Sequence, residues 1–273
     1  MQDTLNIPPQ RIISVVPSQT ELLFDLGLDQ QMVGVTRFCL HPAEKVKNKA
    51  VVGGTKTLNL ARIHELKPDF ILANKEENTR EQIEELQRQY PVHVTEMQTV
   101  ADALAMIRDV GKRVGRRPEA ERMAEQIEEG FRSLEFQILN PSDADLKSAL
   151  SSAAKPVVDL SVAYFIWRKP WMVAANQTFI HSMLEMAGFR NAFADRNRYP
   201  EITETDLRAA RPDLIFLSSE PYPFAEKHRA ELRQICPTAR VELVDGELFS
   251  WYGSRMVKAA EYIRHLRKKL GLA

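Results

Sequence analysis

Apolar residues recur along this chain in two rhythms: short β-branched runs that suit buried strands, and runs spaced by three and four that suit helices. Arg11-Ile12-Ile13-Ser14-Val15-Val16, halted by Pro17, predicts a first strand. Ser18 or Thr20 is placed to cap the next helix, whose Leu22, Leu23 and Leu26 end at Gly27. Met32-Val33-Gly34-Val35 predicts a second strand, residues 69–73 another, and Val92-His93-Val94 one more. Helices over residues 79–89 and 99–114 complete the first half.

One phrase of this pattern occurs twice. Residues 67–73 read Lys-Pro-Asp-Phe-Ile-Leu-Ala, and residues 211–217 read Arg-Pro-Asp-Leu-Ile-Phe-Leu, about half a chain later. Each follows an amphipathic stretch and runs into four apolar residues: a helix, a Pro-Asp corner and a strand covered on both faces. The second half continues the plan, with a strand over Pro156–Leu160, a helix over Phe179–Ala187 ending at Gly188, a helix over Glu204–Ala210, a helix over 224–235, a strand over Val241–Val244, and a last helix over 254–270. Between the halves, Pro118 opens a run with apolar residues at Met123, Ile127, Phe131 and Leu134, one stripe of a helix over 118–139. At 1.5 Å per residue it would span about 33 Å. Pro141-Ser142-Asp143 breaks it, and 143–155 reads as a mobile polar connection.

The expected fold is therefore α/β: two α/β lobes with central parallel sheets joined by one long backbone helix. The boundaries read as residues 1–114, 115–142 and 143–273. Two lobes make a cleft, a common place to hold a ligand.

Composition narrows the picture only by exclusion. Lys+Arg and Asp+Glu both number 37, so no global charge draws the chain to nucleic acid. No apolar run approaches the roughly 20 residues of a membrane span. Met1–Pro9 lacks a basic region followed by an apolar one, so it does not read as a secretory signal. The protein is expected in the periplasm or at the cell surface if a leader has been removed, and in the cytoplasm if Met1 is the native start. Cys39 and Cys236 read as free thiols, and a monomer is expected.

In open parallel sheets ligands bind outside the carboxyl ends of the strands. The loops there hold Ser18, then Arg37, Phe38, Cys39 and His41, then Lys56 and Lys75; the second half adds Trp167, Arg168, Trp251, Tyr252 and Arg255. All three tryptophans fall in such segments. Trp171 and Phe249 read as core, whereas Trp167 and Trp251, flanked by charged or turn residues, read as stacking surfaces for a flat ligand. Arg37, Lys56, Lys75, Arg168 and Arg255 together suggest an anionic group on it. Cys39 and His41 lack the further ligands of a structural zinc site, so their expected use is as axial donors to a metal that the ligand carries. The phosphate loop, the nucleophile elbow, the zinc-protease helix and the dinucleotide fingerprint are all missing.

With these residues in hand, the chain resembles the class III periplasmic substrate-binding proteins. Within them it is most similar to the cobalamin, ferric-siderophore and haem receptors of ABC importers. The resemblance runs from Arg11 to about Leu270 and is carried by Arg11-Ile12-Ile13-Ser14 with Pro17-Ser18 and Thr20-Glu21-Leu22, by Asn59-Leu60-Ala61-Arg62-Ile63 leading to Lys67-Pro68-Asp69, by Arg211-Pro212-Asp213, and by Arg255. It implies non-catalytic, reversible binding of a metal chelate bearing cobalt or iron, no cofactor of the protein's own, little hinge motion, and a membrane subunit of an ABC importer as partner. Where that family presents docking acids this sequence has Arg80 and Ser250, with Glu81 and Glu247 nearby. Its cobalamin-stacking tryptophans would fall at Asn74 and Leu248, with Trp251 a neighbour. The competing expectation is a cytoplasmic metal- or tetrapyrrole-handling enzyme, chelatase-like or corrinoid-processing, that works through His41, Cys39 and Glu76.

Overall fold

The computed structural model describes residues 7–140 and 160–272. The expected polar connection over 143–155 and nearly all of the expected strand over 156–160 lie outside them. The described chain divides into two compact units. The first comprises residues up to Met97, Ala101–Gln126 and Tyr252–Arg255; the second comprises the remainder.

The first unit alternates β1 (Ile12–Ser14), α1 (Pro17–Asp25), β2 (Met32–Val35), α2 (Ala43–Val46), β3 (Ala50–Val51), α3 (Leu60–Leu66), β4 (Phe70–Asn74), α4 (Arg80–Gln87) and β5 (Val92–Thr95), followed by α5 (Val100–Arg113). Its strands form one parallel sheet in the order β3-β2-β1-β4-β5. The central strands β1 and β4 are buried throughout, which is why they read as unbroken apolar runs rather than alternating ones. Ile13, Ile71, Ile63 and Leu86 form the centre of a core on this sheet.

α6 (Arg117–Leu139) gives its residues up to Gln126 to the first unit and the rest to the second. The second unit continues with β6 (Ser161–Trp167), β7 (Trp171–Val173), α7 (Phe179–Met186), β8 (Arg190–Asn191), β9 (Glu201–Ile202), α8 (Glu204–Ala210), β10 (Leu214–Ser218), α9 (Glu226–Ile235), β11 (Arg240–Val244), α10 (Glu247–Ser250) and α11 (Met256–Leu270). Its sheet runs β11-β10-β6-β7-β9 with β8 beside β6. Pairings among β11, β10, β6 and β8 are parallel, while β7 is antiparallel to β6 and β9.

The repeated phrase does the same work in both units. Lys67 and Arg211 close α3 and α8 in the left-handed region, with φ of 46° and 45°. After the proline, the Asp69 N–H donates to the Arg11 carbonyl and the Asp213 N–H to the Ser161 carbonyl, each at 3.0 Å. The carboxylates return the favour. Asp69 accepts from the backbone of Gln10 (2.7 Å) and Arg11 (2.8 Å), and Asp213 from Ser161 N–H (3.0 Å) and hydroxyl (2.9 Å). The aspartate thus fixes the start of the neighbouring central strand, β1 or β6.

Two expectations are corrected. Neither Ser18 nor Thr20 caps α1: Pro17 itself occupies the first turn, where its missing N–H costs nothing, after an extended Val16. Thr20 instead donates to the Val16 carbonyl at 2.9 Å and lies 2.8 Å from the Ser14 hydroxyl. Second, Trp167, expected in a loop, is the last residue of a strand that begins at Ser161. Tyr164 and Phe165 are fully buried, because Val162–Phe165 pairs with β10 over its whole length.

Candidate functional site

In the first unit, the loops at the carboxyl ends of the strands rest on a buried polar frame. Asn74, at the end of β4, takes the N–H groups of Glu76 (2.8 Å) and Glu77 (3.2 Å) on its side-chain oxygen and donates to the Thr95 carbonyl (3.0 Å). Asn78 accepts the Asn74 N–H (2.8 Å) and donates to the carbonyls of Val15 and Thr55, both at 3.1 Å. Neutral amides suit this task because they satisfy donors and acceptors together without burying charge. Asn74 is fully covered, so it offers nothing to a ligand.

Outside this frame, Phe38 is 49% exposed, with the Arg37 guanidinium 5.1 Å from its ring centre, and Leu40 beside it is exposed too. Cys39 turns inward. Only 2% of it is accessible, and its sulfur lies 3.1 Å from the Thr20 hydroxyl and 3.2 Å from that of Thr36. Burial pushes its thiol up, outweighing those hydroxyls, and a buried protonated thiol is a poor metal ligand. His41 is half-buried in the same loop. Among the described residues no group of three or more His, Cys, Asp or Glu side chains is placed to hold a metal ion.

The expected cations are largely engaged within their own unit. Lys75 reaches both Glu96 oxygens at 2.8 Å, and the Lys56 ammonium bonds the Glu76 carbonyl. Glu77 is held above the ordinary carboxylate range by burial, against the pull of Lys56. Arg255 makes a two-pronged pair with Glu21, Nε to Oε2 at 2.8 Å and Nη2 to Oε1 at 2.7 Å. Tyr252 and Ser18 are buried nearby, where Gly253 (φ +133°) passes close over α1: a Cβ there would stand 3.2 Å from the Ser18 carbonyl.

In the second unit the loop after β10 lies between two tryptophans. On one side Trp167, 41% exposed at the end of β6, meets Tyr222 edge to face at 5.7 Å. Tyr222 continues into Phe224 and His228. His228 Nδ1 accepts the Ala225 N–H at 2.9 Å, so the proton sits on Nε2, 3.3 Å from the Tyr222 hydroxyl. Burial, then Lys227 and Arg168, hold this histidine below its usual pKa, which keeps it neutral. Arg168 pairs two-pronged with Glu231, both bonds 2.9 Å, and lies over the Trp171 ring. On the other side the Trp251 indole N–H donates to Glu220 Oε1 at 2.8 Å, and the Ser250 hydroxyl donates to the same oxygen at 2.6 Å. Gly246 allows this approach, since a Cβ there would overlap the Ser218 hydroxyl and come 2.7 Å from Glu220 Cγ.

Trp167, Tyr222 and Trp251 are thus presented by adjoining loops of one sheet, while Phe249 is wholly buried against Tyr164 and Phe216. At the positions where docking acids were sought, Arg80 is exposed and paired with Glu84 at 2.7 Å, and Ser250 is bound to Glu220. The sequence pattern did not show that Glu21, Glu231 and Glu220 are the acidic partners of Arg255, Arg168 and Trp251. Each is paired across a long stretch of chain, and no local spacing marks it.

A family model described as periplasmic binding protein matches residues 12–232. The chain belongs to that family. Over 268 residues it is 26% identical to the vitamin B12-binding protein of Pectobacterium atrosepticum, covering 97% of this chain and 91% of that one. It is also 26% identical to an uncharacterized ABC transporter substrate-binding lipoprotein of Bacillus subtilis, covering 94% and 80%. Among solved structures, the periplasmic vitamin B12 binding protein of Vibrio cholerae superimposes with a TM-score of 0.77 at 20% identity, over 96% of this chain and 99% of that one. A periplasmic heme binding protein from Pseudomonas aeruginosa gives 0.78 at 21%, over 94% and 92%. At such identities the structures establish the fold: two α/β sheets with a long helix between them in sequence. No described helix is long and apolar enough to cross a membrane.

Proposed function

We propose that this protein is a non-catalytic substrate-binding protein for a metal chelate of the corrinoid, haem or ferric-siderophore type, serving an ABC-type importer in the periplasm or at the cell surface. The observation that carries the reading is the set of partly exposed aromatic faces at the carboxyl ends of the strands: Trp167 and Trp251 in the second unit, Phe38 in the first. Such faces bind conjugated rings by stacking, and each can act as an anchor. Family membership supports the transport role, and relatives named for vitamin B12 and heme support the ligand class. Arg37 and Lys56, on the exposed side of their loops, are the cations proposed to meet polar groups of the ligand, with His41 as the candidate donor to its metal. Ser18, Tyr252, Lys75, Arg168 and Arg255 are proposed to shape the loops around it. The enzymatic alternative draws on Cys39, whose burial and raised pKa speak against a reactive thiolate.

The test is a tryptophan-fluorescence titration with cyanocobalamin, cobinamide, haem and a ferric catecholate, corrected for absorbance by the ligands. Saturable quenching by one of them at micromolar affinity or tighter is expected. Trp251→Ala should then weaken binding by about 1–3 kcal/mol, the worth of a lost aromatic anchor. No saturable response to any of the four would overturn the chelate reading.

A further inference from the structure

We infer that Glu220 is the positioning residue of the ligand face: its carboxylate sets the orientation of the Trp251 ring and takes up the indole N–H. The Trp251 face is then offered for stacking alone. This rests on the reading of Trp251 as a ligand-stacking surface and deepens it.

Glu220 stands two residues beyond Ser218, the last residue of β10, so a central strand carries it. Its backbone N–H lies 3.4 Å from the Ser218 hydroxyl, which also accepts from buried Tyr164 at 3.2 Å. The facing loop is tied down independently. The Gly246 N–H donates to the Ser219 hydroxyl at 2.9 Å, and the Asp245 N–H to the Tyr262 hydroxyl at 2.8 Å. Between these two fixed backbones a single oxygen, Glu220 Oε1, receives both Ser250 and Trp251.

An indole has one polar hydrogen, so a bond to carboxylate at 2.8 Å determines which way the ring faces. Without that acceptor a half-buried tryptophan at the end of a four-residue helix keeps its rotamer freedom and must lose it on binding. The carboxylate also excludes the N–H as a ligand donor. Recognition at this ring therefore falls on its face, to which a conjugated ring is the best match.

The three tryptophans give three indole N–H signals in a 15N-correlated NMR spectrum, and Trp251→Phe identifies the one belonging to residue 251. Glu220→Ala is expected to shift that signal alone upfield and to speed its exchange with water at least tenfold. Glu220→Gln, which keeps a carbonyl oxygen at the same place, should restore most of the shift. Affinity for whichever of cyanocobalamin or haem binds the parent protein should fall about tenfold in Glu220→Ala, as in Trp251→Ala. The double variant should be no weaker than either single one. An unmoved Trp251 signal in Glu220→Ala would overturn the inference, and so would losses that multiply in the double variant. If neither probe binds the parent protein, the ligand class fails while the NMR signal still decides the role of Glu220. Should Glu220→Ala not fold, the same comparison is made between Glu220→Gln and Glu220→Leu.

Discussion

Replacing Arg255 by alanine separates two uses of that side chain. Its position in a carboxyl-end loop suggested a group that reads an anion on the ligand. The structure places it instead in a fork-to-fork pair with Glu21, and the two side chains are only 15% and 13% exposed. Each charge-assisted bond is worth about 1.5–3 kcal/mol, and breaking a buried pair from one side costs about 3–5 kcal/mol because the abandoned charge stays covered. Neither partner is fully sealed, so the expected destabilisation is about 2–4 kcal/mol. Arg255→Lys should recover less than half of it, since one ammonium cannot match the fork.

Urea unfolding followed by far-ultraviolet dichroism measures these losses. Glu21→Gln and the double variant complete a thermodynamic cycle, in which a coupling of about 2 kcal/mol is expected. Affinity for whichever chelate binds the parent protein should fall alike in Arg255→Ala and Glu21→Gln, because what is lost is the shape of the Tyr252–Arg255 segment and not a ligand contact. A loss of stability under about 0.5 kcal/mol, with binding weakened by Arg255→Ala but not by Glu21→Gln, would refute the structural assignment and return Arg255 to the ligand.

Two further outcomes follow from buried groups. Glu242 is covered in β11, where burial works to raise its pKa, but bonds from Lys269 and Arg240, both 2.9 Å, overcome this and hold it below the ordinary value of 4.5. A carboxylate depressed in the folded state stabilises above its unfolded pKa and loses that contribution as pH falls through the folded one. Glu242→Gln should therefore cost about 1–2 kcal/mol at pH 7, modest because its cationic partners are half-exposed, and the gap to the parent in urea titrations should close below pH 4.5; a gap that persists unchanged at pH 3 would contradict this. Cys39, with its thiol inaccessible and pushed up by burial, should resist a maleimide or an aromatic disulfide in the native protein and react only with urea present. Labelling at the rate of a free surface thiol would show that the loop opens.

How far the sequence could be read depended on whether the determining interactions were local. Pro68-Asp69 and Pro212-Asp213 were legible as a repeated corner because the helix end, the turn and the strand start all lie within a few residues. Met32–Val35 and Glu204–Ala210 likewise fell where the pattern put them, the latter opened by reciprocal bonds between Thr203 and Asp206. Ser161–Trp167 was misread in part because aromatic residues serve both a core strand and a binding loop, and only pairing with β10 decides between them. The short strands Ala50–Val51, Arg190–Asn191 and Glu201–Ile202 carry too few residues to show any period. At the candidate site the aromatic residues stood out by composition. Their acidic partners did not, since Glu21 meets Arg255 across nearly the whole chain.

That asymmetry bears on what the ligand can be. Five basic residues in the loops suggested an attraction to anions, yet Lys75, Arg168 and Arg255 each answer an acid of their own unit. A cation already held by a carboxylate at hydrogen-bond distance presents a dipole rather than a charge, and its field decays quickly in water. To use Arg168 or Arg255, an anionic ligand would have to displace Glu231 or Glu21 and leave that carboxylate unsatisfied, which costs about as much as the new pair returns. Glu220 adds negative charge directly beside Trp251. If the proposed chelate reading holds, discrimination at the loops of the second unit would rest on the shape and face of a conjugated ring more than on its net charge, and Trp167 and Trp251 would carry it.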